Sequence, residues 1–175
     1  MVNIGDLATH PLVVLIVGAI LSSLIIPRIT KRWQDHQKEL EIKIDLIKKI
    51  SEIIMKEVMS VQFMKIQIGY MDIDSEEFRK KWESANEDYR QLEIQAAIIE
   101  SQLIAYFHDN KDIKQTWKNL VHNLTKFYAD LQNTYNNTVS GKTSSDSTWR
   151  DKKDKIIEEK EDLITKILTS SIKGL

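Results

Sequence analysis

Both prolines of this chain, Pro11 and Pro27, bracket a single apolar run, and the 148 residues that follow contain none. Glycine is nearly as sparse there, at Gly69, Gly141 and Gly174. A proline inside a helix removes a hydrogen bond and clashes with the preceding turn, while a glycine costs about 1 kcal/mol relative to alanine. A chain with so few of either has few places to stop a helix. Its apolar residues recur at helical spacing with no alternating strand pattern. The expectation is an all-α fold: one N-terminal transmembrane helix, then a long-helix antiparallel bundle, coiled-coil-like, forming a cytoplasmic domain.

The transmembrane expectation rests on the 21 uncharged residues between Asp6 and Arg28. Their inner part, Leu12 to Ile26, reads LVVLIVGAILSSLII. Roughly 20 such residues match a hydrocarbon core about 30 Å thick at about 1.5 Å of rise per residue. A cleaved signal peptide fits less well, because the N-terminus carries Asp6 and no Lys or Arg, and Arg28 follows the run directly. A buried core helix is the other competitor, since the strictly apolar part is only 15 residues long. Arg28, Lys31, Arg32 and Lys38 lie on the C-terminal flank. The positive-inside rule therefore places the N-terminus outside and the rest in the cytoplasm. Arg28, Lys31, Arg32 and Trp33 are the expected membrane-interface residues, and the basic turns there suit anionic lipids. Gly18 and Ser22, with Ala19 and Ser23, make two overlapping small-xxx-small pairs, a possible helix-packing face within the membrane.

Beyond the span, four helices are expected. In the first, from about Ile29 to Ile68, Leu40, Ile44, Ile47, Ile54, Val58, Val61 and Ile68 follow a four-three ladder, with Ser51 and Lys65 as its polar members. A second row, Leu46, Ile50, Ile53, Met55 and Met59, widens the stripe. The second begins near Asp74, which with Glu77 has capping-box character. Its ladder is Phe78, Trp82, Ala85, Tyr89, Leu92, Ala96, Ile99, Leu103 and Tyr106. The third carries Ile113, Trp117, Leu120, Leu124, Phe127 and Leu131, flanked by Val121, Tyr128 and Tyr135. Asn136 to Thr148 is polar, small and aperiodic and reads as a flexible linker. A last helix, from about Trp149 to Ile172, has a thinner stripe of Ile156, Leu163, Ile164, Ile167 and Leu168, interrupted by Lys153 and Lys160. The expected segments are 1–27 for the N-terminus and span, 28–135 for stalk and three-helix bundle, 136–148 for the linker and 149–175 for the final helix.

Composition excludes several chemistries. With no cysteine there is no disulfide scaffold, thiolate zinc site or cysteine nucleophile. With 25 basic against 26 acidic residues there is no global field to attract nucleic acid. His10, His36, His108 and His122 fall in no metal-binding spacing. Glu93 and Glu100 lie a heptad apart beside core positions, but lack the paired Glu-x-x-His motifs of diiron bundles and read as flanking ion-pair positions. Ser140-Gly141-Lys142-Thr143 imitates the end of a phosphate-binding loop without its first glycine or a preceding strand. The sequons at Asn123 and Asn136 fall on the predicted cytoplasmic side. No catalytic residues, metal ligands or cofactor are therefore nominated, and no small-molecule substrate.

The resulting expectation is a single-pass membrane-anchored helical scaffold or interaction protein, not an enzyme, with its main domain in the cytoplasm. Its partners would be the lipid bilayer and, through its helices, a protein or a second copy. The alternative is a small oligomeric pore-forming or lysis-type membrane protein packed through Gly18, Ala19, Ser22 and Ser23. Its weakness is a span with no polar stripe beyond two serines.

Overall fold

The computed structural model describes residues 11–141 and 148–172. Helix α1 is Pro11–Ile20, followed by a π-helical stretch, Leu21–Ile25, and then by α2 (Ile26–Tyr70), α3 (Glu76–Tyr106), α4 (Lys111–Val139) and α5 (Trp149–Thr169). No strand occurs among the described residues, so the all-α expectation holds. The chain divides into two compact units: of the described residues, 11–42 belong to the first and 43–141 with 148–172 to the second.

In the first unit the expected transmembrane helix is not supported. Among the described residues no helix is long and apolar enough to cross a membrane. The uncharged run is divided. α1 has ten residues and a length of about 15 Å, and α2, which begins at Ile26, reaches Arg28 within its first turn. Between them the hydrogen-bond ladder widens, with the Ile26 N–H donating to the carbonyl of Leu21. The local cause is a pair of serines. Ser22 donates its hydroxyl to the carbonyl of Gly18 at 2.8 Å, and Ser23 to that of Ala19 at 2.5 Å. Such back-bonding to the preceding turn competes with the ladder and distorts helices. The expected extracytoplasmic N-terminus, residues 1–10, lies outside the described residues.

In the second unit α2 from Lys43, α3, α4 and α5 make a four-helix bundle. The contacts fix its order and directions. Lys56 of α2 pairs with Asp88 of α3 at 2.8 Å, and Lys81 of α3 reaches Gln67 of α2. Trp82 stacks on Tyr135 at one end of the α3–α4 pair, and Glu100 meets Lys118 at the other. Lys152, Glu159 and Lys166 of α5 engage Asp130, Asn123 and Thr116 of α4 in reverse order. α5 also returns along α2, from Trp149 beneath Lys65 to the Leu168 carbonyl that accepts from Lys43. Neighbours are antiparallel all round, and the final helix is a full member of the bundle.

The core follows the predicted ladders closely in α3 and α4. Phe78, Ala85, Leu92, Ala96, Ile99 and Leu103 are buried, as are Ile113, Trp117, Leu120, Leu124, Phe127 and Leu131. In α2 the ladder is displaced. Leu40 and Ile44 are exposed, while Leu46, Ile50, Ile54, Val58, Val61, Met64 and Ile68 are buried. A strict seven-residue repeat slips by about 20° per heptad on a straight helix, so the row through Ile68 has rotated off the core by Ile44. In α5, Ile156, Lys160, Leu163 and Ile167 are buried and Leu168 is exposed. Lys160 is buried along its length, and its ammonium is compensated by the exposed Glu161 carboxylate at 2.8 Å.

Helix ends have local causes. α3 is capped by Ser75, whose hydroxyl accepts from the Phe78 N–H, rather than by Asp74. Asn110 caps α4 through two backbone N–H groups. α4 runs four residues beyond the expected boundary at Tyr135 and stops at Val139, where Gly141 takes a φ of 69°. That left-handed conformation favours glycine after a helix. The remainder of the expected linker, 142–147, lies outside the described residues, and with it Lys142 and Thr143.

Candidate functional site

Among the described residues several places depart from the partition of apolar inside and polar outside, including the exposed Phe63, Ile66, Ile94 and Ile98 of the bundle; two stand out. The first is the segment around the π-helical stretch. Leu15, Ile16, Ile20, Leu21, Leu24, Ile25, Ile26 and Ile29 are between 42% and 73% exposed. Contiguous exposed apolar surface of this kind marks a site of association. Gly18 faces open space, since a Cβ there would meet nothing within 4 Å. Ala19, Ser22 and Ser23 are exposed beside it. The hydroxyl protons of both serines are committed to their own helix, which leaves close approach of a neighbour to Gly18 and Ala19.

The expected interface residues follow at once. Arg28, Lys31 and Arg32 line one shallow groove with Ile25, Ile29 and Asp35. Successive residues turn by about 100°, so the three cations share one side of α2 and Ile29 and Trp33 lie on the next. Trp33 is 62% exposed. None of the three cations makes an ion pair among the described residues.

The second place is inside the bundle, and the sequence analysis missed it. Glu57 on α2 is only 2% exposed, and its Oε1 has no hydrogen-bond partner among the described residues. Burial, reinforced by the Asp88 carboxylate and opposed by Lys56, pushes its carboxyl from the ordinary 4.5 up to about 7. A signal was available. Ile50, Ile54, Glu57, Val61, Met64 and Ile68 form one four-three row, and Glu57 occupies a core position of it.

Above this layer Tyr89 of α3 and Tyr128 of α4 stack with ring centroids 4.0 Å apart. Tyr128 donates its hydroxyl to Asn86, and Tyr89 meets the Thr125 hydroxyl at 3.3 Å. Partial burial raises the pKa of both phenols. The shallow groove over them is lined by Asn86, Arg90, Glu93 and Thr125, and Glu57 does not open into it. With Glu57 almost fully enclosed, and with Tyr128 buried and Tyr89 half-buried beside it, this layer is a polar seam of the core.

Of the remaining candidates, Glu93, Glu100 and His122 line one open groove between α3 and α4, and His108 lies apart from them at the turn before α4. Glu100 pairs with Lys118 at 3.5 Å, as a flanking position should, while Glu93 is exposed and lies beside Tyr89. His108 meets Asp109 at 3.1 Å. Among the described residues no three His, Cys, Asp or Glu side chains converge on a point where a metal could sit.

No family model, curated protein or solved structure matches this chain. The reading of function therefore rests on its own surfaces.

Proposed function

We propose that the chain is a membrane-tethered, non-catalytic bundle protein. The apolar segment ahead of Arg28 enters the bilayer as a single span with the N-terminus outside. The bundle, on the cytoplasmic side, presents its helices to a protein partner or to a second copy.

The observation that carries this reading is the row of exposed Leu and Ile side chains from Leu15 to Ile29, running into Arg28, Lys31 and Arg32. In water such a row is costly; in hydrocarbon it is at home. The helical segments from Pro11 to Pro27 follow one another without a non-helical residue. At about 1.5 Å per residue, those 17 residues extend about 25 Å, at the short end of what a bilayer accommodates, and the sequence holds further uncharged residues back to Leu7. The scaffold half of the reading rests on a bundle whose helices are joined by ion pairs such as Lys56–Asp88 and Glu100–Lys118 and ended by caps such as Ser75 and Asn110.

The test is retention in membranes. Membranes from cells expressing the full chain, washed at alkaline pH, should keep the wild-type protein. Leu21→Arg combined with Leu24→Arg should release it, because each arginine placed centrally in a span costs about 2.5–3.5 kcal/mol. Wild-type protein recovered in the wash would refute the tether. Reporters fused to either end then read the orientation.

A further inference from the structure

The three cations that follow the apolar row differ from the closely ion-paired lysines of the bundle. Lys49, Lys56, Lys80, Lys81, Lys152 and Lys166 each hold a carboxylate within 2.8 Å. Arg28, Lys31 and Arg32 are exposed and hold none among the described residues. Their one acidic neighbour in the groove is Asp35, half-buried one turn further on. Three cations therefore share a face of α2 with one carboxylate, and their N–H donors are unspent.

Their height on the helix matters as much as their charge. Arg28 lies two residues and Arg32 six residues beyond Ile26, or about 3 Å and about 9 Å along the axis. The headgroup layer of a bilayer occupies about 5–7 Å on each side of the hydrocarbon. With the row as far as Ile26 in hydrocarbon, Arg28 lies inside that layer and Lys31 and Arg32 at or just beyond its outer edge. Ile29 and Trp33, on the adjoining side of the same turns, put apolar surface and an indole at the same depth, where Trp is favoured. Guanidinium groups grip phosphate oxygens in pairs, and lysine adds a point charge.

We propose that Arg28, Lys31 and Arg32 form a binding site for the headgroups of anionic phospholipids, so that the chain prefers anionic to zwitterionic bilayers. The proposal rests on the tether reading, and extends it from lipid in general to a lipid class. An acidic protein segment offers the same charge, but the exposed apolar row continuous with the cations selects the lipid surface.

The experiment is flotation of the full chain with vesicles of phosphatidylcholine alone or of phosphatidylcholine mixed with phosphatidylserine. The wild type should float with both and prefer the mixed vesicles. Each near-surface cation contributes a factor of about five, so the preference is on the order of a hundredfold at about 0.1 M salt, and it should collapse near 1 M. Arg28→Gln, Lys31→Gln and Arg32→Gln together should abolish the preference and keep binding to phosphatidylcholine. Asp35→Asn should raise the preference severalfold, which guards against a triple variant that is merely damaged. Equal wild-type binding to both vesicle types, or a preference that survives the triple variant, would overturn this inference and leave the tether standing. Failure to float with either vesicle would overturn the tether itself.

Discussion

The N-terminal segment and the bundle use the same apolar side chains and treat them in opposite ways. In the bundle, Ile50, Ile54, Leu120, Leu124 and Leu163 are wholly enclosed, and even a carboxylic acid, Glu57, is taken inside with them. In the segment from Leu15 to Ile29, eight large apolar residues stand exposed. Burying one such side chain is worth about 1.5–3 kcal/mol, so covering the exposed fraction of eight is worth on the order of 10 kcal/mol. That rivals the whole stability of a typical domain. The bundle encloses a core and leaves scattered apolar residues such as Phe63, Ile66, Ile94 and Ile98 outside; among its described residues the segment buries none.

The segment and the bundle should act independently, and the largest perturbation of the bundle tests this first. Trp117→Ala should cost the bundle about 3–5 kcal/mol, since Trp117 is fully buried against its neighbours. Denaturant unfolding should show the loss, while retention in alkali-washed membranes stays at the wild-type level. A parallel fall in retention would break the separation of roles.

Next comes the buried acid. With a carboxyl pKa of about 7 in the bundle and 4.5 unfolded, Glu57 costs nothing below about pH 4.5. As pH rises the unfolded chain ionises first, so stability falls between about pH 4.5 and 7 and levels off above, by on the order of 3 kcal/mol. Glu57→Gln should remove that decline and be the more stable protein at pH 8, measured by urea unfolding across the range. A wild-type curve that is flat, or that rises through this window, would contradict the burial described for Glu57.

A smaller effect sharpens the account of the helix ends. Asn110→Ala removes a cap that accepts from two backbone N–H groups and also donates to Ser170. It should lower stability by about 1 kcal/mol. The smallest change belongs to the segment: Ser22→Ala with Ser23→Ala removes the back-bonds to Gly18 and Ala19 and should leave membrane retention unaltered. A loss of retention there would show that the serine hydroxyls hold a partner rather than their own helix.

How far the chain could be read in advance varied with the physics at each place. The cores of α3 and α4 were legible because Phe78 to Leu103 and Ile113 to Leu131 keep an apolar residue at nearly every ladder position. α2 was less so: its run is longer, and the difference between 3.5 and 3.6 residues per turn moved Ile44 outward and Leu46 inward. The role of Ser75 as a cap was hidden by Asp74 beside it, which also begins a plausible capping pattern. Glu57 was passed over because carboxylates seldom sit inside, although the row through Ile50 and Val61 leads straight to it. The break in the apolar run depends on where two serine hydroxyls find acceptors, and LSSLI does not announce that choice.

Because the chain has no cysteine, the central claim can be read with a single environment-sensitive dye. Leu24→Cys and Tyr70→Cys, each labelled in the full chain, would be mixed with vesicles containing phosphatidylserine. A strong blue shift at position 24 and none at position 70 is the predicted outcome. No shift at 24 would show that the exposed apolar row does not enter lipid, and the tether would have to be abandoned.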